Sequence, residues 1–321
     1  MTKKVYKSLS SKYPYSRSRC ACGKLTTKLH EGEYICKDCL MALEDKLSPD
    51  QKKKLSLLDD LSVGEIKQLL KTTPQHTQKR NYNHNYGKHI RVGILSDTHI
   101  GHSEFDEDLL KYAGETFKKE KVQAVYHAGD ILEGMSGRDG HVYELGKVGF
   151  SQQINYAVQM FKKYFKGIKM YGITGNHDLW YKIRNNGGID VGEELQSRLG
   201  KDNFEYLGEY EADIKLAPNC IMKLFHPNDG TAYATSYKLQ KLIESFEGGK
   251  KPHIVVEGHY HKALYMFSRN VHGLEAGTLC GQTGFMRGKK IPAHKGFYIL
   301  DFEIGERGIT KFSPQFYPAY D

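Results

Sequence analysis

The chain has 321 residues, 39% hydrophobic and 26% charged, which suits one large globular domain with a small appendage or two modest domains. No apolar run approaches the roughly 18 residues that span a bilayer, and no apolar stretch follows the basic start MTKKVYKSLSSKYPYSRSRC, so neither a membrane span nor a secretory leader is expected. The net charge of +9 is concentrated at one end: residues 1–90 hold 18 Lys+Arg against 9 Asp+Glu, and the remainder holds 29 of each, an asymmetry that suggests a module meeting a polyanion.

The first elements lie around four cysteines. Cys20-Ala-Cys22 and Cys36-Lys-Asp-Cys39 flank a stretch that alternates like a short hairpin, with Glu31-Gly32-Glu33 as its turn. Two close cysteine pairs in so polar a stretch fit a structural zinc site, closed and tetrahedral, and place the protein in a reducing compartment, the cytoplasm. The module resembles a zinc ribbon, although its first pair is Cys-x-Cys instead of the usual Cys-x2-Cys. Cys220 and Cys280 read as packing residues.

Residues 40–71 switch to helical spacing, with Pro49 behind Ser48 as a start signal and a capping box at Ser62-Val63-Gly64-Glu65. From Thr72 to Lys88 the chain is polar and aperiodic and reads as a linker. Its Lys79, Arg80, Tyr82, His84 and Tyr86 are of the types that neutralise and stack on a nucleic-acid strand. The resulting division is a ribbon-like module over 1–47, a basic helical segment and linker over 48–88, and a main domain over 89–321.

The main domain opens with the buried strand HIRVGIL, a helix over FDEDLLKYAGETFKKE and a second buried strand, VQAVYHAG. A helix over about 151–166, the strand IKMYGIT and a helix near 189–199 follow. Several strands fill 204–225, a helix covers 233–246, HIVVE is a strand, and strands dominate the rest. This alternation points to an α/β layered fold.

The ends of these strands carry residues able to hold metals: Asp97-Thr98-His99, then Gly129-Asp130 with Glu133, then Gly175-Asn176-His177-Asp178, then His226, then Gly258-His259-Tyr260-His261. In open α/β sheets the functional crevice lies beyond the carboxyl ends of the strands, so these segments are expected to converge. Carboxylate, imidazole and amide oxygens without thiolate suit borderline cations, Mn2+ first, with Fe or Zn2+ as alternatives. Two such metals about 3.5–4 Å apart clamp both the attacking and the leaving oxygen of an in-line displacement. Asp130, on a tight Gly-Asp turn, is placed to bridge the pair.

This ordered set strongly resembles the calcineurin-like metallophosphoesterases, over about residues 90–300. The resemblance implies a β-sandwich flanked by helices, to which the cysteine pairs add the small N-terminal zinc ribbon. It assigns Asp97, His99, Asp130 and His261 to one metal, and Asp130, Asn176, His226 and His259 to the other. The family usually reads Gly-His where this chain has Phe225-His226-Pro227. His177 matches the catalytic histidine, a general acid toward the leaving oxygen. Glu133 stands where an acidic residue or histidine orients that acid, with Asp178 as the weaker candidate for the same task. His127, His141, His253 and His272 match no family position and read as surface or packing residues, His141 being the one placed to line the cleft.

Protein phosphatases of the family follow the orienting acid with an arginine that grips the phosphate dianion; here that slot is Gly134, and only Arg138 is near in sequence. A diester needs less clamping. With the basic N-terminal region, this favours a phosphodiesterase or nuclease acting on DNA or RNA, most similar to the DNA-repair exonuclease branch. A protein or small-molecule phosphomonoesterase is the alternative, and a non-catalytic nucleic-acid-associated scaffold the second.

Overall fold

The structure, a computed structural model, describes residues 18–19, 25–26, 29–30, 33–34, 81–183 and 188–320. The chain divides into two units, Met1–His76 and Thr77–Asp321. In the first, strands β1 (Ser18–Arg19) and β2 (Leu25–Thr26) pair antiparallel, as do β3 (Leu29–His30) and β4 (Glu33–Tyr34), the latter with His30 opposite Glu33. β3 and β4 lie in the stretch between the cysteine pairs where a hairpin is expected, but Glu33, expected in its turn, belongs to β4. Cys20, Cys22, Cys36, Cys39, the helices expected over 40–71 and the linker as far as residue 80 lie outside the described residues.

The second unit is a sandwich of two six-stranded sheets. One contains β6 (His89–Leu95), β7 (Ala124–Ala128), β8 (Met170–Thr174), β9 (Phe204–Glu209), β15 (Gly296–Gly305) and β16 (Gly308–Pro318), in the order β16-β15-β6-β7-β8-β9. β6 to β9 run parallel, and β15 and β16 close the edge antiparallel. The other contains β5 (Asn81–Asn83), β10 (Glu211–Ala217), β11 (Cys220–Phe225), β12 (Ile254–Glu257), β13 (Ala263–Ser268) and β14 (Val271–Ala276), in the order β13-β14-β12-β11-β10-β5.

Side-chain alternation explains the layers. Ile90, Val92 and Ile94 of β6 turn toward the second sheet and meet Met222, Leu224, Ile254 and Val256 in a core closed from solvent. Leu95 and Val125 face outward, under α1 (Glu107–Lys119), α2 (Phe150–Tyr164) and α4 (Val191–Leu199). With both faces covered, these strands are mostly apolar, which is why they were legible as runs; the exceptions on β6, His89 and Arg91, lie at its start and bond Asp301. Phe117 of α1 is fully buried there against Phe165 and Phe297, and its truncation to alanine is expected to cost about 3–5 kcal/mol. Helix α5 (Tyr237–Ser245) covers the second sheet through Leu239 and Ile243 on Val255 and Val271, and begins later than the sequence suggests.

Two expectations are corrected. Residues 81–86 are not linker: β5 pairs parallel with β10, and the backbone N–H groups of His84 and Tyr86 continue the pairing to Lys215 and Leu216. Tyr82 donates to the Leu207 carbonyl at 2.9 Å, and the His84 ring bonds the Tyr126 hydroxyl at 2.8 Å. These aromatics are built into the sandwich and are not presented to a nucleic acid. Second, Asn176 starts a helix, α3 (Asn176–Ile183), between the strand IKMYGIT and the helix near 189–199, where no helix is expected.

Candidate metal centre

The loops that leave β6, β7 and β8 in one sheet, and β11 and β12 in the other, meet at the same end of the sandwich. His226, behind β11, crosses to β7: its Nδ1 donates to the Ala128 carbonyl at 2.7 Å. The backbone N–H of His259, behind β12, donates to both carboxylate oxygens of Asp97, behind β6, at 3.0 Å each. The two sheets are thus tied together by the predicted ligands themselves.

Asp130 is central to the cluster. Its Oδ2 lies 3.2 Å from Nε2 of His226 and 3.8 Å from Nε2 of His99, while its Oδ1 accepts the backbone N–H of His177 at 2.9 Å. On one side His99 Nε2, His261 Nε2 and Asp97 Oδ1 face one another, at 3.0 Å between the rings and at 3.8 and 3.4 Å from the rings to the carboxylate. On the other, His226 Nε2 is 3.2 Å from the amide oxygen of Asn176, and the ligand atoms of Asp130, His226 and His259 lie within 4.8 Å of one another. All eight placements of the two predicted ligand sets, Asp130 counted in both, fall in this cluster.

The donor chemistry fits cations. His99 gives its Nδ1 to Glu133 at 2.8 Å, His226 its Nδ1 to Ala128, and His259 its Nε2 to the Asp229 carbonyl at 2.7 Å. Each ring is thereby oriented with its other nitrogen facing the cluster, the arrangement that outer partners impose on metal-binding histidines. The 3.0 Å approach of His99 and His261 needs a proton or a cation between the rings. Asp97 and Asp130 are both held well below the ordinary carboxylate range: burial opposes this, but the surrounding histidines outweigh it.

Backbone strain is concentrated on the same residues. Asp97, His99, Asp130, His259 and His261 have φ of 48°, 46°, 52°, 78° and 55°, in the left-handed region that non-glycine residues rarely adopt. Such conformations cost of the order of 1–3 kcal/mol each and persist where the surroundings over-determine them. Space is equally constrained: a Cβ at Gly175 would stand 2.3 Å from Asp130 Oδ1 and 2.5 Å from His226 Nε2.

A model of the calcineurin-like phosphoesterase superfamily domain matches residues 90–303. The chain belongs to the calcineurin-like phosphoesterase superfamily. A curated relative, the DNA polymerase II small subunit of Methanothermobacter thermautotrophicus, is 26% identical over 235 residues, 61% of this chain and 48% of the relative. The chain therefore spans about half the length of the curated relative it matches. Among solved structures, an archaeal phosphodiesterase aligns with 18% identity and a TM-score of 0.42, over 71% of this chain and all of the other. The phosphoesterase Yfce of E. coli aligns with 12% identity and a TM-score of 0.39, over 70% and 98%. Membership of this superfamily implies divalent metal ions, for which the cluster offers candidate ligands.

Above the cluster, this phosphoesterase domain opens a cleft of about 460 Å3. His177 stands in it with Nδ1 2.9 Å from the backbone carbonyl of Glu133 and 3.5 Å from its carboxylate. Burial opposes a charged ring, yet Asp130 and Glu133 outweigh it and raise His177 to about 10. The carboxylate of Glu133 also accepts from His141 Nε2 at 2.7 Å, so one buried acid holds three histidines, His99, His141 and His177. His141 is thus a cleft residue with a specific partner, and only its distance of eight positions from Glu133 could have hinted at this.

Asp178 has a different task from the one expected. Its carboxylate accepts the backbone N–H groups of Ile131, Leu132 and Gly175, at 3.0, 2.8 and 3.0 Å. It clamps the loop carrying Asp130 to the start of α3, facing backbone instead of the His177 imidazole.

Sequence reasoning passed over three further residues. Trp180 lies one helical turn after His177, its ring centroid 3.9 Å from the imidazole. Asp229 receives His259 through its carbonyl and Tyr260 through its carboxylate. His102 lines the cleft with its Nδ1 taken by the Glu104 N–H. A lone tryptophan three residues after a histidine was the one available signal. Of the histidines set aside, His127 is buried under the site, bonded to Thr98 and Gly129, while His253 bonds Ile221 at the second sheet and His272 stacks on Phe312. Cys220 and Cys280 are buried free thiols, Cys280 against the cleft.

Proposed function

We propose that this chain is a dinuclear metal-dependent phosphodiesterase acting on nucleic acid. Asp97, His99, Asp130 and His261 would hold one divalent cation, and Asp130, Asn176, His226 and His259 the other, Mn2+ being the favoured metal with Fe or Zn2+ as alternatives. The pair supplies Lewis acidity and an activated water at neutral pH. The protein's own part is orientation and proton delivery. The Glu133 carbonyl and carboxylate hold His177 with Nδ1 protonated, leaving Nε2 to donate to the departing ester oxygen. Asp178 fixes the loop that aims Asp130.

The observation that carries the choice of a diester is Gly134. Its φ is +75°, and a Cβ there would stand 2.3 Å from the His177 carbonyl oxygen. An arginine clamp at this slot is therefore incompatible with the position of the acid itself. Arg138 reaches the cleft, but its guanidinium is already held by Glu144, at 2.5 and 3.3 Å. A phosphate carrying a single negative charge is the substrate that such a site accommodates.

The choice of nucleic acid is supported by the basic residues 1–90 and by the DNA-polymerase name of the curated relative. The same name supports a second reading, a subunit whose phosphoesterase domain is a scaffold. A complete set of ligand residues favours catalysis over that reading. We further propose that residues 1–47 form a zinc ribbon on Cys20, Cys22, Cys36 and Cys39, that the segment up to residue 80 supplies basic contacts, and that the protein works in the cytoplasm. Among the described residues, no helix is long and apolar enough to cross a membrane.

The test is a substrate panel in Mn2+: single- and double-stranded DNA, RNA, a phosphopeptide, and chromogenic mono- and diesters. Cleavage of nucleic acid and bis-p-nitrophenyl phosphate, with little release from the phosphopeptide or monoester, is expected. Preference for the monoester would overturn the diester reading, and inertness toward every substrate with two metals bound would support the scaffold.

A further inference from the structure

Between Glu275 and Asp301 the chain has no carboxylate, yet it carries Arg287, Lys289, Lys290 and Lys295. Lys295 reaches Asp106 at 3.3 Å. The other three are exposed, and among the described residues none of them forms an ion pair. They sit on helix α6 (Gly284–Lys289) and its left-handed cap, Lys290.

This segment is held in place and belongs to the cleft. Thr283 caps it by accepting the Met286 N–H at 3.2 Å, Met286 is buried, and Gln282 bridges to the Ile291 carbonyl at 2.7 Å. Phe285, Met286 and Ile291 form one wall of the cleft that His99 and His261 floor. Phe285 nevertheless remains 46% exposed, and the Arg138 guanidinium lies 5.2 Å from its ring centre.

Arg287 also donates to the Gln282 carbonyl at 2.5 Å and lines a neighbouring groove with Glu104 and Asp106. An exposed aromatic on the wall of a phosphoesterase cleft, with three exposed cations on the same segment, is the combination that binds a polynucleotide strand: the cations meet successive phosphates and the ring takes a base. The base must be free of a duplex stack to lie on a side chain, which selects a single strand. We propose that Gly284–Lys290 receives a single-stranded polynucleotide, with a base on Phe285 and phosphates against Arg287, Lys289 and Lys290, and feeds its backbone to the histidine–carboxylate floor. The inference rests on the nucleic-acid phosphodiesterase reading and adds the strand state and the entry wall.

The test uses the full chain in Mn2+, comparing the unmodified protein with Phe285→Ala and with the triple variant Arg287→Gln, Lys289→Gln, Lys290→Gln. Binding of a fluorescent thymidine oligonucleotide is titrated against salt, and kcat/KM is measured for the oligonucleotide and for bis-p-nitrophenyl phosphate. Single strands contribute about 0.7 to the salt slope per phosphate contact, so the triple variant is expected to flatten the slope by about 2. In Phe285→Ala the ratio of oligonucleotide to small-diester kcat/KM is expected to fall about tenfold or more, one stacked base contributing about 1–3 kcal/mol. If the unmodified protein cleaves the oligonucleotide and both variants keep its slope and ratio, this entry wall is wrong while the nuclease reading stands. If a duplex binds as tightly and as salt-dependently as the single strand, the strand selectivity is wrong. If the unmodified protein hydrolyses the small diester but neither binds nor cleaves any polynucleotide, the underlying reading falls and this inference with it.

Discussion

The Nε2 atoms of His99 and His261 stand 3.0 Å apart, although the two residues are separated by 162 positions. Because Nδ1 of His99 is committed to Glu133, its Nε2 presents a lone pair to the other ring. The fold therefore holds two imidazoles in a contact that a shared cation relieves. Stripping the protein with a chelator is expected to lower its melting temperature, and Mn2+ to restore it. At a hundredfold excess over Kd the linkage is about 2.7 kcal/mol, or about 5–10 °C for a domain of this size. A melting temperature indifferent to Mn2+, Fe2+ and Zn2+ would contradict the dinuclear centre.

Asp130 faces both ligand groups, His99 on one side and His226 on the other. Asp130→Asn is expected to empty both positions together, from two metals per chain to less than one by elemental analysis. Hydrolysis of bis-p-nitrophenyl phosphate should fall by more than the about 10–100-fold typical of an outer partner. Retention of one full equivalent of metal would show that Asp130 does not bridge.

His177 acts on the substrate and not on the metals. His177→Ala is expected to keep both ions and lose about 10²–10⁴ in kcat, more with an unactivated alkyl leaving group than with p-nitrophenol, which departs with little protonation. Loss of metal in this variant would argue against the acid role.

Stability should fall with rising pH because of two buried acids outside the cleft. Glu257 and Glu275 stand opposite each other on β12 and β14. Burial first, then their mutual repulsion, raises Glu257 to about 8, and burial raises Glu275 to about 7. Since the folded pKa values exceed the unfolded value of 4.5, the contribution is fully present below about pH 4.5 and is lost as pH rises through 7 and 8. Glu257→Gln is expected to flatten the melting-temperature profile between pH 5 and 9 and to raise it by several degrees at the alkaline end. A variant less stable than the parent at pH 9 would contradict this assignment.

Residues 1–76 form a separate unit, and β5 follows directly behind it. Removal of 1–76 is expected to preserve hydrolysis of the small diester while weakening and flattening the salt dependence of nucleic-acid binding, read by anisotropy. Removal of 1–88 takes β5 with it, and the loss of Tyr82 and His84 from the sandwich should destabilise the domain.

The sequence by itself determined the strand–helix alternation and the ligand loops. Strands such as HIRVGIL are covered on both faces over most of their length and are mostly apolar there, and residues such as Asp97-x-His99 and Gly129-Asp130 are recognisable because their chemistry requires those types in that order. β5 was not legible, since Asn81-Tyr82-Asn83 has no apolar run; it is an edge strand fixed by one tyrosine reaching a carbonyl more than a hundred positions away. The tasks of Asp178, His141 and Trp180 were hidden for the same reason. A carboxylate that accepts backbone N–H groups and one that orients a histidine look alike in a sequence, and only the packing of one loop on another separates them. Tertiary structure also decided that Gly134 excludes an arginine, because the obstacle is the His177 carbonyl, brought there by a different strand. Residue type fixes what a side chain is able to do; which neighbour it does it to depends on long-range contacts whose energies no local pattern carries.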